Sequence, residues 1–194
     1  DGAKDSYNVS RRSELVDHTS EGMRGVFSAL GGKWTTSRQL AQTVTDALVK
    51  TLGAKAAPCA TATTPLPGGR FDRFDELTRG FQKTYPGIGS MRSMAHMLGA
   101  RLPLALKGAK MTELVSLNQS GDTMAQVLLA LREEMALTLE DMVMRRTGIG
   151  QFGPASADVI SKVAGVMAAQ LGWNAEKTQR EIEGLNKLYQ VAAA

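Results

Sequence analysis

The sequence predicts a mostly helical protein, in which a helical domain over residues 70–194 follows a short region of strand and helix over residues 1–53. Beyond residue 70, apolar residues recur at helical spacing almost throughout. Before it, one extended apolar run from Val26 to Leu30 is ended by two glycines and followed by a helical pattern. Residues 54–69 between the two regions are rich in Ala, Thr, Pro and Gly and show neither period, which predicts a linker at a domain boundary.

Composition excludes several classes of protein. The chain has 194 residues, 43% of them hydrophobic and 22% charged, which is ordinary for a globular protein and excludes a disordered or fibrous one. Cys59 is the single cysteine, which fits a reducing compartment, and no apolar run approaches the roughly 20 residues of a membrane span. We therefore expect a cytoplasmic protein. The net charge of +4 is spread over both regions without stacking aromatics, so no nucleic-acid partner is expected.

The first region is predicted to be strand, glycine turn and helix. Val26 to Leu30 is the strand, and Thr35 or Thr36 is placed to cap a helix that Gly53 ends. Short runs at Tyr7 to Arg11 and at Leu15 to His18 predict two further edges of a small sheet on weaker grounds.

The second region is predicted to contain five to seven helices, with breaks near prolines and glycines. The predicted core faces are Met91, Met94 and Leu98; Val127, Leu128, Leu131 and Met135; Val159, Val163, Val166, Met167 and Leu171; and Ile182, Leu185 and Tyr189. Asn174 is a predicted N-cap ahead of the last helix.

The sharpest local signal is the run from Gly31 to Arg38 between the predicted strand and helix. Two glycines allow close approach of a ligand, and a helix N-terminus presents unpaired N–H groups and positive potential to an anion. Lys33 adds a positive charge there. A simple strand-to-helix turn explains the spacing equally well, and the run is neither a P-loop nor a GxGxxG fingerprint.

Other polar residues are assigned no chemistry. His18 and His96 are predicted to be surface or structural histidines. Arg145 and Arg146 follow an acidic pair and are predicted to form exposed ion pairs or to end a helix. No metal site is predicted.

An ordered series of short motifs carries a resemblance that covers nearly the whole chain. In the first region the motifs are Ser10-Arg11, Phe27 to Leu30, and Gly31 to Thr36. In the linker and helical region they are Pro65 to Gly69, Glu134 to Ala136, Thr138 to Asp141, Arg145 to Thr147, and Leu171 to Trp173. The series resembles the C-terminal portion of FAD-dependent, aerobic-type glycerol-3-phosphate dehydrogenases, with the end of their flavin domain before residue 54 and their helical domain after residue 69.

The resemblance implies a site shared with an upstream part of the family's chain. It assigns Arg11 and Lys33 to the substrate phosphate, and Gly31, Gly32, Lys33, Trp34, Thr35 and Thr36 to the edge of FAD. The family's GxGxxG unit and its candidate histidine base precede the residues matched here, so no catalytic residue is assigned in this chain. Ser37 stands where the family usually has Tyr, which removes any inference about that side chain.

The implied reaction is oxidation of sn-glycerol 3-phosphate to dihydroxyacetone phosphate, with hydride passing to FAD and electrons to a quinone. The sequence leaves open a glycerophosphate oxidase that uses oxygen. For the isolated piece it leaves open a non-catalytic helical interaction or dimerisation domain. A homodimer and a peripheral contact with the inner membrane are also left open.

Overall fold

The computed structural model describes residues 13–31 and 33–191 and divides the chain into two compact units between Pro65 and Leu66. This division falls inside the predicted linker at 54–69. The unit that begins at Leu66 is helical, and the described strands both lie before it. The predicted mostly helical fold is therefore confirmed.

The first unit contains an antiparallel hairpin and one helix. Strand β1 (Glu14–Asp17) pairs with β2 (Phe27–Leu30), so that Glu14 lies opposite Leu30 and Asp17 opposite Phe27. Helix α1 spans Ser37–Thr51 after a single 3₁₀ turn. The predicted strand is thus confirmed one residue shorter, and the predicted edge at Tyr7 to Arg11 lies outside the described residues.

None of the described residues from 13 to 65 is fully buried. Leu52, near the end of α1, is 78% exposed, and Leu30 of β2 is 53% exposed. The part of the predicted linker that belongs to this unit, residues 54–65, contacts α1. Arg38 Nη1 of α1 donates a hydrogen bond to Thr61 Oγ1 at 3.0 Å. Segment 54–65 is therefore bonded to α1 within this unit.

The helical unit has six α-helices and one π-helix among its described residues. The α-helices are α2 (Phe74–Thr84), α3 (Met91–Leu98), α4 (Leu102–Leu106), α5 (Met124–Glu133), α6 (Ala157–Leu171) and α7 (Ala175–Val191). The π-helix spans Asp141–Arg146. Asn174 caps α7 as predicted, since its Oδ1 accepts from Lys177 N at 2.8 Å.

Helix α5 lies between two hydrophobic clusters. Ala125 and Leu129 join Met91, Met94, Ala95, Leu102, Ala105 and Leu114 in one of them. Val127 and Ala130 join residues of the π-helix, α6 and α7 in the other. A helix that is apolar on opposite faces is stable when both faces are covered, which makes α5 the centre of the unit.

One predicted core residue is misplaced. Met135 was expected to continue the apolar face of α5, but it is 78% exposed and has a φ of +52°. The helix ends at Glu133, because the left-handed backbone of Met135 lets Ala136 N donate to Ala130 O at 3.4 Å and so closes the helix. Glu134 Oε1 pairs there with Arg101 Nη1 at 2.7 Å. The chain then reverses, and Ala136 rather than Met135 is buried.

Candidate functional site

The run from Gly31 to Thr36 joins β2 to α1, as the sequence predicts. Lys33 is extended, and Trp34–Thr36 form the 3₁₀ turn. Thr36 does not cap α1 with its side chain, contrary to expectation: Thr36 Oγ1 donates to Lys33 O at 3.1 Å. Because Trp34–Thr36 form a 3₁₀ turn, the Thr36 hydroxyl lies close to the carbonyl of Lys33. It bonds to that carbonyl and does not accept from the first amides of α1.

The electrostatics at the start of α1 favour an anion. Helix α1 has no acidic residue in its first turn and no side-chain cap, so the positive end of its dipole is not neutralised there. The Lys33 side chain is exposed and makes no ion pair within the described residues. A negatively charged group placed here would meet both the lysine and the helix terminus.

A cleft of about 420 Å³ opens beside this turn. Gly31, Lys33, Trp34, Ser37 and Leu40 line it, and Trp34 is 94% exposed. A Cβ added to Gly31 would lie 3.0 Å from Leu40 Cδ2, so a side chain at this position would crowd the wall of the cleft. The cleft thus places an exposed ammonium and an exposed indole beside the start of α1. Two of the predicted site residues, Arg11 and Gly32, lie outside the described residues.

His18 has two partners that sequence analysis did not identify. Its Nδ1 lies 3.0 Å from Glu21 Oε1, and its Nε2 lies 2.8 Å from Ser28 Oγ on β2. Asp17 precedes it and accepts from Thr19, whose hydrogen bonds lower the pKa of the Asp17 carboxyl. These hydrogen bonds stabilise the hairpin connection between β1 and β2, and β2 is followed directly by Gly31. The alternation of side chains along β2 predicts which face of the strand carries Ser28. It does not predict that His18 lies within hydrogen-bond distance of Ser28.

The polar motif residues of the helical unit serve local structure. Thr138 donates its N–H and hydroxyl to Asp141 Oδ2, which holds the pKa of Asp141 below its ordinary range. Arg145 pairs with Glu140 and with Asp141, as predicted for an exposed ion pair. Thr147 donates both its N–H and its hydroxyl to the carbonyl of Met142, the i to i−5 bond of the π-helix.

The described part of the chain shows neither a membrane-spanning helix nor a group of metal-ligating side chains. No described helix combines the length and the hydropathy needed to cross a bilayer. No three or more His, Cys, Asp or Glu side chains among residues 13–31 and 33–191 are grouped so as to hold a metal ion.

Comparisons with known proteins agree with the resemblance. Residues 59–178 match the family described as the C-terminal domain of alpha-glycerophosphate oxidase. A glycerol-3-phosphate dehydrogenase of Synechocystis sp. is 27% identical over 94% of this chain and 34% of its own length. The aerobic enzyme of Staphylococcus saprophyticus is 29% identical over 97% of the chain and 35% of its length. The mitochondrial enzyme of Homo sapiens is 26% identical over 94% and 26%, respectively.

The chain thus spans about a quarter to a third of the length of these relatives. The family match covers most of the helical unit and more than half of the chain. This chain belongs to the family of the C-terminal domain of alpha-glycerophosphate oxidase.

Proposed function

We propose that this chain supplies substrate-phosphate and flavin-edge contacts in an FAD-dependent glycerol-3-phosphate dehydrogenase. The observation that carries the proposal is the exposed Lys33 ammonium, which forms no ion pair with a described residue and lies at the start of α1, whose first turn holds no acidic residue. The relatives that cover almost the whole chain are named glycerol-3-phosphate dehydrogenases, and this substrate carries the anion that such a site would bind.

In the proposed reaction the secondary alcohol of sn-glycerol 3-phosphate becomes the ketone of dihydroxyacetone phosphate. FAD, when bound, would take up the hydride from carbon, and the hydroxyl proton would pass to a base in an upstream part of the full-length enzyme. Arg11 and Lys33 hold the substrate phosphate, because a guanidinium donates two parallel hydrogen bonds to phosphate oxygens and an ammonium adds a point charge. The segment from Gly31 to Thr36 and the α1 dipole stabilise negative charge at the adjacent edge of the ring.

The test uses the full-length enzyme that contains this chain. Lys33→Ala and Arg11→Ala should each raise the KM for glycerol 3-phosphate roughly ten- to hundredfold, because a charge-assisted hydrogen bond contributes about 1.5–3 kcal/mol. Lys50→Ala is the matched control, since Lys50 is an exposed lysine in the last turn of the same helix. Unchanged KM values in both site variants would show that the assigned roles are wrong.

The electron acceptor distinguishes two enzymes with the same substrate site. We propose a quinone acceptor, so activity should follow reduction of a soluble quinone analogue. Hydrogen peroxide formed in proportion to substrate consumed would identify an oxidase instead.

A non-catalytic role is the alternative for the chain on its own. The GxGxxG spacing occurs in the sequence at Gly148 to Gly153, but that run follows the π-helix and not a strand, so it lacks the context of a dinucleotide-binding turn. Met135 and Phe152 of the helical unit are 78% and 88% exposed. Concentration-dependent light scattering of the isolated chain would detect a homodimer. Pelleting with anionic vesicles would detect a peripheral membrane contact.

A further inference from the structure

A second, smaller cleft lies in the helical unit and plays no part in the proposed phosphate site. It measures about 260 Å³, slightly below the roughly 300 Å³ at which small-molecule sites begin. Residues of α3, α5 and two loops line it: Ser93, His96, Met97, Ser120, Gly121, Asp122, Gln126, Gly148, Gln151 and Phe152. Its wall combines polar side chains with a larger apolar surface, unlike the wholly apolar clusters on either side of α5.

A buried carboxylate lines this cleft together with the exposed imidazole of His96. Asp122 is 3% exposed and makes no salt bridge with any described residue. Its Oδ2 accepts from Asn118 Nδ2 and its Oδ1 from Gly148 N, each at 2.8 Å. Both donors are neutral, and a carboxylate can accept about four hydrogen bonds, so each oxygen retains accepting capacity.

Gln126 offers the complementary group. It is also 3% exposed, and its Oε1 accepts from Thr123 N at 2.9 Å and from Thr123 Oγ1 at 3.1 Å. Because a backbone N–H can only donate, this contact fixes which end of the amide is oxygen. The Nε2 has no hydrogen-bond partner among the described residues. Every fully enclosed side-chain N or O atom in that part of the chain does have a partner, so Nε2 is not fully enclosed. The Nε2 therefore keeps access to solvent, and the cleft that Gln126 lines supplies it.

Two glycines leave these polar groups uncovered. A Cβ at Gly121 would lie 2.4 Å from Ser93 Oγ, and a Cβ at Gly148 would lie 3.0 Å from Asp122 Oδ2. At the rim, the ring of Phe152 is 88% exposed. The cleft thus combines an acceptor, at least two donor groups and an apolar surface.

This combination discriminates between kinds of ligand. A cation satisfies Asp122 but leaves the Gln126 amide without an acceptor. An anion satisfies the amide but is repelled by the carboxylate. A hydroxyl group both donates and accepts, and the C–H face of a polyhydroxylated chain or ring packs on an aromatic side chain. We propose that this cleft binds a small neutral polyol or sugar, whose hydroxyl groups donate hydrogen bonds to Asp122 and accept one from Gln126 Nε2.

The test is a titration of the isotopically labelled 194-residue chain, followed by amide NMR, with glycerol and sorbitol as probes. Chemical shifts of the Gln126 side-chain amide and of the Gly121 and Gly148 amides should saturate in the millimolar range. Ser93→Ala and Phe152→Ala should weaken binding about three- to tenfold, because each removes one contact and neither disturbs the core. Val115→Ala is the matched control, since Val115 is 64% exposed and lies outside the cleft.

A thermal shift is not used, because polyols stabilise folded proteins generally by exclusion from the surface. Shifts that grow linearly at all amides, or that are equal in the Phe152 and Val115 variants, would overturn the proposal. Saturation by methylammonium or inorganic phosphate without saturation by the polyols would assign the cleft to a charged ligand and overturn it as well. None of these readouts depends on dehydrogenase activity, so this proposal and the phosphate site fail separately.

Discussion

Gly99→Ala should destabilise the helical unit strongly, because two backbone segments meet at this residue without room for a side chain. Gly99 ends α3 with φ +53° and ψ −133°, a conformation that residues with a Cβ rarely adopt. An added Cβ would lie 2.2 Å from Gly68 O. The same carbonyl accepts from Ala100 N at 2.8 Å, so the clash and the hydrogen bond share one atom.

The expected loss follows from these two terms. Forcing a side chain into such a backbone region costs of order 1–3 kcal/mol. Moving Gly68 away to relieve the clash weakens a hydrogen bond worth about 0.5–1.5 kcal/mol. Together they amount to about 1.5–4.5 kcal/mol, which lowers Tm by roughly 10 °C in a unit of this size.

Urea unfolding followed by circular dichroism at 222 nm would measure this loss. Gly165→Ala is the control, because Gly165 lies within α6 with no atom within 4 Å of an added Cβ. It should stabilise the protein by about 0.5–1 kcal/mol through helix propensity. Gly68→Ala should resemble Gly99→Ala, because its Cβ would lie 2.6 Å from Leu98 O. The double variant should lose less than the sum, since both substitutions push the same two backbone segments apart. A Gly99→Ala protein as stable as the wild type would refute the reasoning.

Three further predictions concern a carboxylate, a buried glycine and the two units. Asp141→Ala should lower stability by about 1 kcal/mol at pH 7 through loss of the Thr138 bonds. Since the pKa of Asp141 is lowered on folding, the difference should shrink as pH falls below about 4, and a pH-independent difference in urea midpoints would contradict this. Gly150→Ala should destabilise the protein by at least 2 kcal/mol in thermal unfolding, because its Cβ would lie 2.3 Å from Tyr189 Oη. The same substitution in a Tyr189→Phe background should cost less, since the clashing hydroxyl is gone. Equal losses in both backgrounds would be evidence against this clash. Limited proteolysis should cut before or within residues 54–69 and leave a resistant helical core; a resistant product that keeps residues 1–53 instead would reverse the expected order.

Sequence patterns predicted the elements whose cause is local. The glycines after β2 end a strand, and Asn174 caps α7 with its own side chain, so both follow from a few neighbouring residues. The Gly31 to Thr36 turn belongs to this class as well. The cleft beside it depends on where Leu40 of α1 lies, which the turn sequence alone does not predict.

Features that depend on distant contacts were not predicted. Asp122 bonds to Gly148 across 26 positions, and no periodic pattern links them. The π-helix at Asp141–Arg146 differs from an α-helix by one residue per turn, which a short apolar pattern does not distinguish. Met135 has the spacing of a core residue, but the left-handed backbone at that position closes α5 at Glu133, and Glu134 pairs there with the distant Arg101.

The two tryptophans divide the intrinsic fluorescence of the protein between its two units. Trp34 stands 94% exposed beside Lys33, whereas Trp173 packs on the larger hydrophobic cluster with Lys177 Nζ 5.8 Å from its ring. Unfolding of the helical unit should therefore shift the emission of Trp173, while Trp34 already emits at the wavelength of an indole in water. A Trp34→Phe variant would isolate the first signal. In the unsubstituted protein, quenching without a change in Trp173 would report directly on a molecule that enters the Lys33 cleft.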